Sequence, residues 1–222
     1  MPTLSRPWLA FDLGEEMRVL SWAVHRPGFV TASRILWREV HEDDLPRDLD
    51  AETWLASELA ARGASDAVAF LTSRDLARHH CKTARVEDVT ADAIITIGLS
   101  NAERVGSRED YTGRDWGKDW GTINIALRVD QPLSDIGLLE AMSVATEART
   151  AAVHDLGHRV ATGIATGTGT DCIAVAAPPG HMPYAGKHTA LGEAIGKATY
   201  DAVLEGARQW LIDDTERRSR AS

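Results

Sequence analysis

Two apolar segments near the start of the chain have the character of β-strands. They span residues 19–24 and 29–40, and Arg26, Pro27 and Gly28 lie between them. The second segment alternates between apolar and polar positions, as a strand with one buried face does. A Pro-Gly pair between two such segments indicates a turn. The sequence therefore predicts that the fold opens with a β-hairpin.

A first helix is predicted over residues 51–62. Asp50 stands directly before it and Gly63 directly after it. An aspartate in this position accepts hydrogen bonds from the free amides of the first turn, and a glycine readily ends a helix. One face of this helix carries apolar side chains, namely Trp54, Leu55 and Leu59.

A second helix is predicted from Ser134 to Leu156, with Ser134 as the capping residue and Gly157 as the stop. Its periodicity predicts a core-facing set of Leu139, Met142, Val153 and Leu156. A third helix is predicted from about Thr189 to Leu211, and the tail at 213–222 is predicted to be frayed and flexible.

Short apolar segments supply the remaining strands. They cover residues 67–71, 84–89, 93–99, 121–129 and 173–177. Strands and helices do not alternate regularly along the chain, as they would in a doubly wound parallel sheet. The predicted fold class is therefore α/β of the α+β kind. We expect a mixed β-sheet covered by helices, in a single domain over residues 1–212.

Composition and charge indicate the cellular compartment and exclude some classes of partner. The 222 residues are 44% hydrophobic and carry a net charge of −9, so we expect no nucleic-acid partner. Cys81 and Cys172 lie far apart without metal-ligand spacing, which fits a reducing compartment. No apolar stretch approaches the roughly 20 residues that span a bilayer. We therefore expect a cytoplasmic protein that does not act at a membrane. The sequence is compatible with a homo-oligomer.

A loop of alternating threonine and glycine is the strongest single candidate for part of a site. It ends in a carboxylate and leads directly into an apolar strand. Such a loop offers backbone amides and hydroxyls that can converge on an anion or a developing oxyanion. An ordinary glycine-rich turn remains an alternative. The candidate ligand-binding residues here are Thr166, Gly167, Thr168, Gly169 and Thr170, followed by the candidate catalytic residue Asp171.

Two further polar groups are candidates. Thr146 and Thr150 are four residues apart on one face of the second helix, with Glu147 beside them. A carboxylate among hydroxyls can act as a general base or bind an amide, although a solvated helix face is the alternative. Lys187 and His188 precede the last helix, whose free amides favour a negative group. A helix cap or a surface imidazole is the alternative for His188.

Weaker signals come from two turns. Asn101 follows the predicted strand at 93–99, and its amide can donate to a carbonyl. Thr122 and Asn124 are two residues apart at the start of a strand, so their side chains point the same way. The loop between these turns is long and polar, and it carries Trp116 and Trp120.

Taken together, these segments resemble the adenosylcobinamide amidohydrolase (CbiZ) family of corrinoid salvage. The resemblance covers nearly the whole chain, and several motifs in order are more specific than any one of them. The motifs are Gly-Leu-Ser-Asn-Ala at 98–102, Gly-Thr-Ile-Asn-Ile at 121–125, Pro-Leu-Ser-Asp at 132–135, Ala-Thr-Glu-Ala at 145–148, Ala-Thr-Gly-Thr-Gly-Thr-Asp at 165–171, Tyr-Ala-Gly-Lys-His-Thr at 184–189 and Leu-Gly-Glu at 191–193.

The resemblance implies an activity. This activity is hydrolysis of the amide between a corrin propionate and aminopropanol, giving adenosylcobyric acid and (R)-1-amino-2-propanol. Some members also act on adenosylpseudocobalamin. The cobalt corrinoid is then the small-molecule substrate, and no cofactor or metal is required.

Amide hydrolysis needs a base for water, donors for the oxyanion and an acid for the leaving amine. We hypothesise Glu147 or Asp171 as the base and His188 or Lys187 as the acid. The hypothesis makes the 167–170 loop the source of oxyanion donors. Trp116 and Trp120 would cover the flat corrin or its adenosyl group, and packing in the core or loop is the alternative.

Three competing interpretations remain. In the first, Thr122 becomes a nucleophile after cleavage of the chain behind Gly121. In the second, a metal held by Glu147, Asp171 and His188 activates water, although no ligand motif supports it. The third is a corrinoid- or nucleotide-binding module without catalysis, in which the threonine-glycine loop and the helix start at Lys187 hold an anion.

Overall fold

A computed structural model describes residues 1–41, 44–46, 49–112 and 121–221 of the chain. The helices are α1 (Ala51–Ala61), α2 (Asp135–Leu156) and α3 (Ala190–Ala221). The strands are β1 (Thr3–Ser5), β2 (Trp8–Ser21), β3 (Gly28–Glu39), β4 (Val68–Thr72), β5 (His80–Val86), β6 (Val89–Ile97), β7 (Ala102–Glu103), β8 (Ile123–Val129), β9 (Arg159–Val160), β10 (Gly163–Ile164), β11 (Gly167–Thr168) and β12 (Cys172–Ala177).

The main sheet is mixed, as the sequence predicts. Its strand order is β4-β3-β2-β12-β8-β6-β5, and β1 pairs with β2. The pairs β3–β4 and β8–β12 are parallel, whereas the other neighbours are antiparallel. The α+β fold class is therefore confirmed.

The opening hairpin and the predicted caps of α1 and α2 are confirmed. The opening hairpin pairs β2 with β3, although β2 begins at Trp8, well before the predicted start. The Asp50 carboxylate accepts from the first-turn amides of α1, and the Ser134 hydroxyl accepts from the amide of Gly137 at 3.2 Å. Gly157 ends α2 with φ at 73°, a conformation in which glycine carries no steric penalty.

Three details of the prediction are wrong. The second hairpin turns at Glu87 and Asp88, inside the strand predicted over 84–89, so β6 begins at Val89 instead of residue 93. Leu139, predicted to face the core, is 49% exposed. The last helix runs on to Ala221 instead of ending near Leu211, and Asp213 within this extension bonds to Arg74 of the loop after β4.

The core consists of packed apolar layers on the two faces of the sheet. Helices α2 and α3 cover one face, where alternate residues of β6, β8 and β12 are buried. A second cluster on the other face combines Phe11, Trp37 and Phe70 with Ile94 and Ala174. These residues come from both halves of the sheet, so one apolar cluster extends across this face.

None of the helices in the described ranges is both long enough and apolar enough to span a bilayer.

Candidate functional site

The threonine-glycine loop is organised around the Asp171 carboxylate. Its side chain is 7% exposed and forms an ion pair with Arg149 of α2. The same carboxylate accepts from the amides of Ile123 and Thr168, at 3.2 and 3.1 Å, and from the Thr168 hydroxyl. Asp171 therefore ties β8, α2 and the loop together.

Burial raises the pKa of Asp171 above its usual range, and the Arg149 guanidinium with the donors from Thr168 and Ile123 opposes that rise. Gly167 packs closely against this ion pair, so an added Cβ would overlap the Arg149 guanidinium, lie 2.5 Å from the Asp171 carboxylate and force the pair to shift.

Most polar groups of this loop have partners within the protein. The Thr166 hydroxyl accepts from the amide of Val105 at 2.8 Å, and the Thr170 hydroxyl donates to the carbonyl of Gly121 at 2.8 Å. The amide of Thr168 donates to Asp171, and the amide of Gly169 lies 3.4 Å from the carbonyl of Asn101. These hydrogen bonds therefore hold the loop in place.

Asn101, Thr122 and Asn124 lie beside this loop. The Asn101 amide donates to the Thr170 hydroxyl at 3.2 Å, and the Thr122 hydroxyl lies 2.8 Å from the carbonyl of Thr170. The Thr122 hydroxyl also lies 3.1 Å from the Asn124 amide oxygen. Thr122 lines a cavity of about 150 Å³ together with Gly98, Ser100, Arg74, Trp210 and Asp213.

A second polar group forms on the outer side of α2. The Lys187 ammonium lies 2.8 and 2.9 Å from the two carboxylate oxygens of Glu147. Both side chains are more than half exposed, at 66% and 58%. The structure thus joins two motifs that are 40 residues apart in the chain.

Local contacts position Lys187 against α2. The amide of Ala185 donates to the Glu140 carboxylate at 2.6 Å. The Thr189 hydroxyl accepts from the amide of Gly192 at 2.9 Å and so caps α3. Gly192 packs directly against Gly186, where an added Cβ would overlap the carbonyl oxygen. These contacts hold the segment before α3 along the side of α2.

The result is an open groove, which we call the α2–α3 groove. One part has a volume of about 430 Å³ and a second about 670 Å³, and the two share Val144, Glu147 and Lys187. His188 and Tyr184 line the first part. The groove therefore brings a carboxylate, an ammonium and an imidazole to one surface.

Thr146 and Thr150 direct their hydroxyls into their own helix. The Thr146 hydroxyl donates to the carbonyl of Met142 at 2.8 Å, and the Thr150 hydroxyl donates to that of Thr146 at 2.9 Å. Threonine in a helix commonly forms this bond to the preceding turn.

The predicted residues thus divide into two groups. Glu147, Lys187 and His188 share the α2–α3 groove, whereas Asp171 belongs to the buried loop and lines neither part of that groove. Trp116 and Trp120 lie outside the described residues. Sequence reasoning missed Arg149 and Glu140, because their partners are 22 and 45 residues away and no local spacing signals them.

Within the described ranges, no three His, Cys, Asp or Glu side chains come close enough together to hold a metal ion.

Comparisons with known proteins agree with this arrangement of motifs. Residues 3–214 match the family model of adenosylcobinamide amidohydrolase, CbiZ. An adenosylcobinamide amidohydrolase of Halobacterium salinarum is 32% identical over 168 residues, covering 72% of this chain and 68% of the relative. An uncharacterised protein of Methanocaldococcus jannaschii is 38% identical over 131 residues. That match covers 51% of each protein, so the chain spans about half the length of this relative.

A solved structure of a Pyrococcus horikoshii protein gives a weak likeness, with a TM-score of 0.47 and 10% identity. It covers 90% of this chain and 76% of the other.

The mixed sheet, its helical cover and the two polar groups define an α+β protein with an open groove between α2 and the start of α3. The match over nearly the full length then places it: the chain belongs to the adenosylcobinamide amidohydrolase (CbiZ) family.

Proposed function

We propose that the protein hydrolyses the amide of adenosylcobinamide to adenosylcobyric acid and (R)-1-amino-2-propanol, and that adenosylpseudocobalamin is a further substrate. Family membership supports the reaction class. We place the reaction in the α2–α3 groove because the Glu147–Lys187 pair lies there. On this proposal the protein works in the cytoplasm as part of corrinoid salvage and takes the corrinoid as substrate.

Glu147 is the base in this proposal. A general base must reach both water and substrate, and Glu147 is exposed in an open groove. Asp171 is almost fully buried, and its carboxylate already accepts several hydrogen bonds. Glu147 takes a proton from water as the resulting hydroxide adds to the amide carbonyl carbon.

Lys187 and His188 complete the reaction. An ammonium has three N–H donors, and one of them can donate to the carbonyl oxygen as it becomes an oxyanion. The tetrahedral intermediate collapses when its C–N bond breaks, and His188 delivers a proton to the departing amine. The products are a carboxylate on the corrin and the free amino alcohol.

Asp171 acts as a positioning residue in this scheme. Its ion pair with Arg149 anchors the threonine-glycine loop to α2, the helix that also carries Glu147. The loop therefore supports the groove from the inner side of the same helix.

The proposal is tested by incubating the purified chain with adenosylcobinamide and following the products by mass spectrometry. We expect adenosylcobyric acid and aminopropanol in equal amounts. Binding of the corrinoid without any cobyric acid would refute the enzymatic proposal and favour a binding module.

A further inference from the structure

An exposed apolar surface adjoins the α2–α3 groove. Ile136 and Leu139 of α2 are 62% and 49% exposed, and Met182 and Tyr184 of the segment before α3 are 38% and 70% exposed. Single exposed apolar residues are common on protein surfaces, but several large ones on two neighbouring segments favour a contact surface. We call these four residues the apolar shelf.

The shelf is continuous with the proposed catalytic pair. Ile136, Leu139, Ser143 and Glu147 follow one another at spacings of three or four residues, so they share one face of α2. The segment that carries Met182 and Tyr184 runs along this helix. It is fixed there by bonds from the amide of Ser134 to the carbonyl of Met182 at 3.0 Å and from the amide of Ala185 to Glu140 at 2.6 Å.

Exposure of the catalytic pair indicates what the shelf binds. Glu147 and Lys187 are more than half exposed, and charges in bulk water interact weakly. A ligand that only filled the groove around the reacting amide would leave the Glu147–Lys187 pair exposed to solvent. A broad ligand with an apolar face would cover shelf and groove together and exclude water from both.

We propose that the apolar shelf binds the hydrocarbon edge of the corrin macrocycle, with its methyl groups, while the ring's amide side chain reaches into the α2–α3 groove. This inference rests on the proposed function. The Tyr184 ring lies against the macrocycle, and the aliphatic side chains of α2 contact its edge. Apolar contact with the ring thus provides binding affinity, and the Glu147–Lys187 pair catalyses the hydrolysis.

The test measures the dissociation constant of adenosylcobinamide by equilibrium dialysis, with detection by the visible absorption of the corrinoid. A Glu147→Gln background prevents turnover during the measurement. We expect Tyr184→Ala to weaken binding about tenfold and Leu139→Ala several-fold, whereas Tyr184→Phe keeps the ring and the affinity. The matched control is Ile212→Ala, because Ile212 is a similarly exposed residue, at 54%, near the far end of α3.

Unchanged dissociation constants in both Tyr184→Ala and Leu139→Ala would overturn the inference, even if the wild-type chain hydrolyses the substrate. Weakened binding in a chain that yields no cobyric acid would support the shelf and refute the proposed function. Sedimentation measures the oligomeric state of the wild-type protein and of Leu139→Glu, and so tests whether a second copy of the chain covers the shelf instead. Conversion of a dimer to a monomer without loss of corrinoid binding would assign the surface to a second copy of the chain.

Discussion

The Lys187 ammonium contacts both carboxylate oxygens of Glu147, at 2.8 and 2.9 Å. The pair links the N-terminal end of α3 to the outer face of α2. Exposed ion pairs contribute little to stability, so we expect this pair to matter for activity more than for folding.

Replacement of Lys187 separates these two contributions. We expect Lys187→Met to lower kcat by about a hundredfold, because the oxyanion loses its charged donor. The free energy of unfolding should change by less than about 1 kcal/mol. Steady-state kinetics and urea unfolding measure the two quantities. A large loss of stability with normal kcat in the folded fraction would assign the pair a structural role instead.

The glycines of the threonine-glycine loop offer a matched test of the buried Asp171 cluster. A Cβ at Gly167 would overlap Arg149 and crowd Asp171, whereas a Cβ at Gly169 meets nothing within 4 Å. We expect Gly167→Ala to lower the free energy of unfolding by about 1–3 kcal/mol and Gly169→Ala to change it by less than about 0.5 kcal/mol. Equal stabilities of the two variants in urea unfolding would show that the cluster is not packed as described.

Asp213 gives a prediction about pH. Burial opposes ionisation, but hydrogen bonds from Gln209 and Arg74 outweigh it and lower the pKa of Asp213 below its usual range. Because the folded-state pKa lies below the unfolded value, the stabilisation is complete above that value and is lost as pH falls through the folded pKa.

We therefore expect Asp213→Asn to destabilise the protein near about pH 7, and this destabilisation to shrink as the pH falls below the usual aspartate pKa of about 4. Urea unfolding of wild type and variant across this range measures the difference. A destabilisation that does not change with pH would mean that the ionised carboxylate is not its source.

The state of the chain around Thr122 distinguishes water attack from a covalent route. If Glu147 activates water, the active protein is one intact chain of 24.1 kDa, and Thr122→Ala keeps kcat within about tenfold of wild type. Intact-mass measurement and kinetics on the same sample test this directly. Two fragments split behind Gly121, together with inactive Thr122→Ala, would favour a nucleophilic threonine.

The sequence predicts those features whose physical cause is local. Asp50 and Ser134 cap their helices because a side-chain acceptor lies next to free amides, and this pattern is visible in a few neighbouring residues. Leu139 shows the limit of periodicity. Apolar residues at helical spacing are predicted to face the core, whereas Leu139 is exposed and belongs to the apolar shelf.

The sequence identifies residues of the candidate site but does not predict how they are arranged in space. Glu147, Lys187 and His188 stand out as polar side chains in ordered motifs, and the structure brings them to one groove. The separate position of Asp171 depends on Arg149, a partner that only the packing of α2 against the loop brings near. Such pairings over long sequence distances leave no periodic signal.

The measurement that tests the central claim most directly is kcat of Glu147→Gln on adenosylcobinamide, with adenosylcobyric acid quantified by mass spectrometry. Glu16→Gln, on the exposed part of β2, serves as the control for loss of a surface carboxylate. We predict a fall in kcat of at least about a hundredfold for Glu147→Gln, with unchanged stability, and a wild-type rate for the control. A wild-type kcat in Glu147→Gln would contradict the assignment of hydrolysis to the α2–α3 groove.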